Sequence, residues 1–283
     1  MFSTFKMSPK FLLTSESKVF IIRAEGHKLK IKILGAHGFE SRNTRLSSIL
    51  VDDILAVDAG GLTSNLSFAE QERIQFILLT HGHYDHIRDV PAIALKNSHR
   101  TIEVFATEST HEILLTHLIN GVLYPRFATW PSPESPALRL HTLEPYRAQT
   151  VGVYHVLPVP VIHALPAVGY QITDGQGKSI FFSGDTGPGL SSCWEHIAPQ
   201  LLIMDMFFSN KSIAAAHKPG HLCPSLLRDE LIGFRRINGY LPRVLLSHLN
   251  PDVEDEIRDE AAQLAKELGA DISLAYEGRE ISL

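Results

Sequence analysis

The sequence has little cysteine, no long apolar run and no excess of basic charge, and each absence narrows what the protein can be. Of its 283 residues only Cys193 and Cys223 are cysteines, and they stand far apart. No pair of Cys-x-x-Cys motifs exists to form a cysteine-rich zinc site, and the scarcity fits a reducing compartment. No apolar run approaches the roughly 18 residues of a membrane span, so no membrane partner is expected. Residues 1–27, which begin MFSTFKMSPKFLLTSESKVF, carry only a broken apolar patch at Phe11 to Leu13. They lack the apolar core and small-residue cleavage site of a signal peptide, read as an N-terminal extension, and point to a cytoplasmic location. Lys and Arg total 26 against 31 Asp and Glu, a formal net charge of -5. A surface built to neutralise nucleic-acid phosphates would be basic, so nucleic acid is the less favoured partner.

What is present is an ordinary globular composition, 44% hydrophobic and 20% charged, in a chain long enough to bury a large core. Alternation in KLKIKIL (28–34) predicts a strand, and SSILVDDILAVDAG (47–60) two strands joined at Asp52-Asp53. IQFILLT (74–80), IEVFAT (102–107), LLIMDMFF (201–208) and RVLLSH (243–248) read as buried strands. VGVYHVLPVPVIH (151–163) reads as strands interrupted by prolines, and VGYQITDGQGKSIFFSGD (168–185) as a hairpin. Helices are expected after Thr107 as N-cap, over 224–237 with Pro224 in the first turn, and over 252–268 ending at Gly269. WPSPESPA (130–137) is a loop, but candidate chemistry lies on both sides of it, so residues 28–283 are taken as one domain. FILLTH (76–81) and VLLSH (244–248) echo one another, and strands precede helices in each half. That order suggests two packed sheets with helices outside.

The densest chemistry is in FILLTHGHYDHIRDVPAI (76–93), where His81, His83, Asp85 and His86 fall within six positions after a buried strand. Pro91 suits the first turn of a following helix and Asp89 is placed to cap it, so a rigid element fixes each end of the loop. Neutral imidazoles are good ligands for zinc and similar metals. In an extended loop His81 and His83 can face one metal while Asp85 and His86 curl towards a second. The plainer alternative is a solvated loop with a helix-capping histidine, which would account for one such residue more readily than for four. Further ligand types end other strands: His163 closes VPVIH, Asp185 closes IFFSGD and His248 closes VLLSH. Each alone has a plain alternative, such as Asp185 stabilising its own turn.

HGHYDH, then His163, SGDT and SHLNP, resembles the metallo-β-lactamase superfamily from about residue 28 to 283. The resemblance implies an α/β, four-layer αββα sandwich with a two-metal site at the open edge between the sheets. It implies that His81, His83 and His163 hold one divalent metal, that Asp85, His86 and His248 hold the other, and that Asp185 bridges them. Zinc is the default, and manganese or iron also suit a carboxylate-containing site. Most β-lactam hydrolases of this superfamily lack the bridging aspartate, and glyoxalase II-like thioesterases carry glycines where this chain has VIHALPAVGY. AHKPGHLCPSLLRDEL (216–231), SGDTGP followed by WEHI, and SHLNP are similar to class II cyclic-nucleotide phosphodiesterases, although Cys223 stands where threonine is usual. Ribonuclease Z shares the ligands, but its substrate-gripping arm has no room between His163 and Asp185.

The resemblance therefore implies metal-activated hydrolysis of a small phosphodiester, most readily a 3′,5′-cyclic nucleotide, with a homodimer as a family-level expectation. Ribonuclease Z-like tRNA processing and a thioester or other ester hydrolase are the alternatives, and a binding protein would not need every ligand position filled. His221 is the candidate to protonate the leaving oxygen or grip the phosphate. Asp205 either orients His221 or pairs with a ligand histidine. Asp85 is counted with them among the catalytic groups as well as among the ligands. Asp58 is expected to orient His81 or His83. Tyr124, Arg126 and Phe127 in LINGVLYPRF (118–127) offer an aromatic for a base, against the plainer reading of a packing loop.

Overall fold

The structure is a computed structural model that describes residues 28–283, so the expectation for residues 1–27 lies outside the described residues. The first sheet takes β1 (Lys30–Gly35), β2 (Ser48–Val51), β3 (Leu55–Val57), β4 (Phe76–Leu78), β5 (Ile102–Ala106) and β6 (Leu138–Thr142). The second takes β7 (Gln149–Val151), β8 (Tyr154–Pro160), β9 (Val168–Thr173), β10 (Ser179–Phe182), β11 (Leu201–Asp205), β12 (Arg243–Ser247) and β13 (Ile272–Leu274). The last strand, β14 (Glu280–Ser282), returns to the first sheet beside β1. Each sheet begins as antiparallel hairpins and continues as parallel strands, β3-β4-β5-β6 in one and β10-β11-β12-β13 in the other.

Three apolar layers explain the arrangement. Ile31, Ile49, Val57 and Leu78 from the first sheet meet Val156, Ile172, Ile180, Ile203 and Leu245 from the second in a central core. The residues next to these in sequence point outwards: Ile77 and Leu79 lie under one helical layer, and Leu202, Met204, Val244 and Leu246 under the other. A strand covered on both faces must be apolar at nearly every position, hence the unbroken runs FILL and LLIM. The helices that bear on the site and the outer layers are α1 (Tyr84–Ile87), α2 (Val90–Lys96), α3 (Glu108–Ile113), α4 (Pro224–Asn238) and α5 (Glu254–Leu268). Leu227, Leu231 and Phe234 of α4 and Ile257, Ala261 and Leu264 of α5 cover the second sheet. Each large apolar side chain buried there contributes about 2 kcal/mol. Both long helices end at a left-handed glycine, Gly239 (φ 79°) and Gly269 (φ 60°). The result is the four-layer αββα sandwich. Among the described residues no helix is long and apolar enough to cross a membrane.

The structure departs from local expectation in three places. β8 runs unbroken through Pro158 and Pro160, because β7 pairs only as far as Val156 and leaves that side of β8 without a strand partner. The helix after Thr107 loosens into a π-helical turn over Leu114–Leu118, and the Thr107 hydroxyl bonds to Ser109 and Thr110 rather than capping. Asp89 precedes α2 but does not cap it; its carboxylate accepts from the backbone and hydroxyl of Thr63.

Candidate metal centre

The site is built where strands give out, all but β8 of them with a parallel neighbour, the usual place for ligand sites in open α/β sheets. His81 and His83 follow β4, His163 follows β8, Asp185 follows β10, Asp205 ends β11 and His248 follows β12. Two backbone conformations help to aim these groups. Asp58 (φ 57°) and His248 (φ 58°) are both left-handed, a strained choice for residues with a Cβ. The sheets are joined at the same spot: the Tyr170 hydroxyl donates to Leu79 O at 2.7 Å and Val168 N–H to Thr80 O at 3.1 Å.

The predicted ligands converge in two sets. His83 Nδ1 lies 3.0 Å from both His81 Nε2 and His163 Nε2, and Asp185 Oδ2 is 3.7 Å from His81 Nε2 and 3.9 Å from His163 Nε2. In the second set Asp185 Oδ1 is 3.1 Å from His86 Nε2 and 3.4 Å from His248 Nε2. Asp85 Oδ2 is 3.5 Å and 3.2 Å from the same two nitrogens. Within each set the ligand atoms lie within 4.8 Å of one another, and Asp185 offers one oxygen to each.

Four of the five imidazoles turn Nδ1 away from the cluster. His86 Nδ1 meets Asp58 Oδ2 at 2.7 Å, His163 Nδ1 donates to Gly220 O at 3.0 Å, and His81 Nδ1 lies 3.0 Å from the Thr80 hydroxyl. His248 Nδ1 faces Asp205 Oδ1 at 3.5 Å. An acceptor at Nδ1 holds the proton there and leaves the Nε2 lone pair free for a metal. Asp58 thus orients His86 directly, not His81 or His83 as the sequence suggested. It reaches His81 only through Thr80, whose hydroxyl and N–H both donate to it.

These residues fit divalent cations. His86 Nε2 and Asp185 Oδ1 are buried with no hydrogen-bond partner, and His81 Nε2 and His163 Nε2 have only the single Nδ1 of His83 to share, at 3.0 Å from each. Mixed imidazole and carboxylate donors suit zinc, manganese or iron. Electrostatics agree. Burial lowers His81, the charge of His86 lowers it further, and it lies well below the ordinary imidazole value. Burial also lowers His86 and His248, but Asp185 with its neighbouring carboxylates outweighs it, so His86 lies well above its ordinary value and His248 is pushed up to about 10. Burial raises Asp185, yet the charges of His248 and His86 hold it well below the usual carboxylate range. A cluster that draws positive charge this strongly can exchange protons for metal.

Among the described residues His221 is the one buried imidazole beside these sets that belongs to neither. Its Nδ1 donates to Asp205 Oδ2 at 2.8 Å, and its ring lies 5.2 Å from His163 and, stacked, 5.3 Å from His248. Asp205 therefore does both things considered for it, holding His221 and facing His248, while its Oδ2 also accepts from Thr186 N–H. Burial lowers His221, but the charge and hydrogen bond of Asp205 raise it above the ordinary imidazole value. Phe127 is buried in the outer layer of the first sheet with Tyr124 packed against that layer, so LINGVLYPRF is a packing loop. Cys193 and Cys223 are free and buried. Sequence reasoning missed Thr80, Thr186 and Phe207, whose neighbours are set only by the meeting of distant strand ends.

Residues 49–275 match the family described as Beta-lactamase superfamily domain, and the chain belongs to it. It is a member of the metallo-β-lactamase superfamily, with histidine and aspartate clusters that could hold metal ions. Among curated relatives it is 27% identical over 136 residues to an octanoyltransferase of Porphyromonas gingivalis, a match covering 46% of this chain and 27% of that protein. It is 26% identical over 141 residues to a UPF0173 metal-dependent hydrolase of Myxococcus xanthus, covering 48% of this chain and 47% of that one. The chain thus spans about a quarter and about half the length of these relatives. Unliganded yeast PDE1 superposes with a TM-score of 0.79 at 18% identity, covering 90% of this chain and 99% of that one. YhfI of Bacillus subtilis gives 0.73 at 19%, covering 91% and 100%, and the short form of human tRNase Z gives 0.63 at 17%, covering 89% and 98%. At these identities the likeness is one of fold.

Proposed function

We propose that the protein is a two-metal phosphodiesterase that hydrolyses a 3′,5′-cyclic nucleotide to the 5′-nucleotide. His81, His83 and His163 would hold one metal, Asp85, His86 and His248 the other, with Asp185 shared and zinc the expected ion. Bound there, divalent cations supply Lewis-acid activation of water and neutralise charge on the phosphoryl oxygens.

The observation that carries the reading is His221 on Asp205. With Nδ1 fixed on Asp205, its other nitrogen is left for a substrate, and its ring neighbours one histidine from each ligand set. A phosphodiester needs a proton on its departing sugar oxygen, and His221 donates it at Nε2 while the Asp205 carboxylate stabilises the charged imidazolium. Asp205 is thus a positioning residue, and Asp85 serves as a ligand at the reacting centre. The cleft over the site has a volume of about 450 Å³, in the range of small-molecule sites. The β9–β10 connection is a short turn over 174–178, too short for an RNA-gripping arm, which counts against tRNA as the substrate.

The test is release of 5′-AMP from 3′,5′-cyclic AMP by metal-loaded protein, with His83→Ala as control. Turnover lost in the variant supports the reading. Absence of turnover in protein that holds two metals rejects the substrate, and tRNA precursors and other phosphodiesters are then assayed on the same preparation.

A further inference from the structure

The cleft that opens onto the two ligand sets is lined by Phe39, Tyr84 and Phe207 as well as by His83, His221 and His248. These rings form an ordered series. His248 stacks on His221 at 5.3 Å, Phe207 stacks on His221 at 5.0 Å, and Phe39 meets Phe207 edge-on at 5.4 Å. A path of aromatic surface therefore leads from a metal ligand to the cleft's rim.

At the rim, Phe39 and Tyr84 are 53% and 61% exposed. Two other exposed aromatics are covered by a cation: Lys96 lies over Phe68 and Arg279 over Tyr276. Among the described residues no cation lies over Phe39 or Tyr84, so they offer bare apolar surface to the cleft. Phe39 also sits on a fastened loop. Its carbonyl accepts from the Thr44 hydroxyl at 2.9 Å, Gly38 N–H donates to Leu249 O at 3.0 Å, and Glu40 is ion-paired with Arg88. The loop passes so close to the site that a Cβ on Gly38 would stand 2.7 Å from the Phe207 ring and 3.0 Å from His248, so only glycine fits there.

We propose that Phe39 and Tyr84, backed by Phe207, are the subsite for the flat ring of the substrate, a nucleotide base stacked at the rim while its phosphate lies at the ligand sets. The proposal rests on the phosphodiesterase reading above and adds to it the residues that recognise the base. Every base has a π-face, so stacking on aromatic side chains tightens binding whatever the base identity.

The test compares binding of 5′-AMP and ribose 5-phosphate to metal-loaded protein by calorimetry, in wild type, Phe39→Leu, Tyr84→Ser and Phe39→Trp. Both side chains are exposed, and metal content checks that each variant is intact. The expected result is that 5′-AMP binds on the order of tenfold tighter than ribose 5-phosphate. Phe39→Leu and Tyr84→Ser should narrow that ratio by weakening 5′-AMP alone, and Phe39→Trp should keep it. Equal binding of the two ligands, or a ratio untouched by Phe39→Leu and Tyr84→Ser, overturns the proposal. The readout is separate from turnover. A ratio that depends on Phe39 without hydrolysis of cyclic AMP keeps the subsite and loses the substrate. Hydrolysis with unchanged KM and kcat in Phe39→Leu and Tyr84→Ser keeps the substrate and loses the subsite.

Discussion

His83 Nδ1 stands 3.0 Å from His163 Nε2, although 80 positions separate the two residues and they follow strands of different sheets. With His81 and His163 protonated at Nδ1, both of their Nε2 lone pairs face the single Nδ1 of His83. That crowding is what a shared cation relieves, and it ties the site to the packing of the two sheets.

Metal removal therefore has a structural consequence. Ligands from both sheets bind the cation only in the folded state, so metal stabilises that state by mass action. Chelation should lower Tm and abolish hydrolysis, and adding back zinc or manganese should restore both. A Tm identical with and without bound metal would break the link between ligand geometry and cation.

Asp58 is fully buried and holds His86 Nδ1 at 2.7 Å. Loss of such a partner to a ligand histidine typically weakens metal binding 10- to 100-fold. Asp58→Asn, which tolerates the left-handed backbone, should weaken the His86 metal by that order and the His81–His83–His163 set, reached only through Thr80, by less. Metal titration resolves the two events, and equal weakening of both would reject a role centred on His86.

His221→Ala should lower kcat about 10²- to 10⁴-fold on a cyclic nucleotide, the usual range for loss of a general acid. The loss should shrink on a p-nitrophenyl phosphodiester, whose leaving group needs no proton. Asp205→Asn should follow the same leaving-group pattern with a smaller loss. A change confined to KM on both substrates would instead make His221 a phosphate-gripping group.

His37 is buried between two carboxylates, with Glu277 Oε1 at 2.7 Å from Nδ1 and Glu254 Oε2 at 3.2 Å from Nε2. Burial lowers its pKa, but hydrogen bonds and charges from Glu277 and Glu254 outweigh this and raise it above 6.5. A raised folded-state value means that the stabilisation is complete below pH 6.5 and is lost as pH rises through the folded value. For Glu277, burial raises the pKa, and the His37 and Arg45 contacts bring it below 4.5, so its contribution is lost only as pH falls through that lowered value. Urea unfolding of wild type and His37→Gln should differ most below pH 6.5 and converge as pH rises through the raised His37 value. A gap that does not vary with pH would reject the charged pair.

Much of the candidate site's geometry was legible in the sequence because its first half is local. His81, His83, Asp85 and His86 share one loop, so their spacing brings them together whatever the rest of the chain does. The buried strands were legible for a related reason: two-sided burial demands unbroken apolar runs, and FILL and LLIM show them. Composition likewise disfavoured a nucleic-acid surface, and the glycines after α4 and α5 marked where those helices stop. Tertiary structure alone decided what meets across sheets. Asp58 pairs with His86 rather than His81 because β3 and β4 are parallel neighbours and α1 turns His86 back over their ends. Asp205 faces both His221 and His248 because β11 and β12 lie side by side. Pro158 and Pro160 stay within β8 because β7 is short. The Phe39 rim exists because the β1–β2 loop folds over the end of β12. Local propensity and spacing act over a few residues. A partner 80 or more positions away is chosen only when sheet order and register bring two strand ends together, and no single stretch of sequence holds that information.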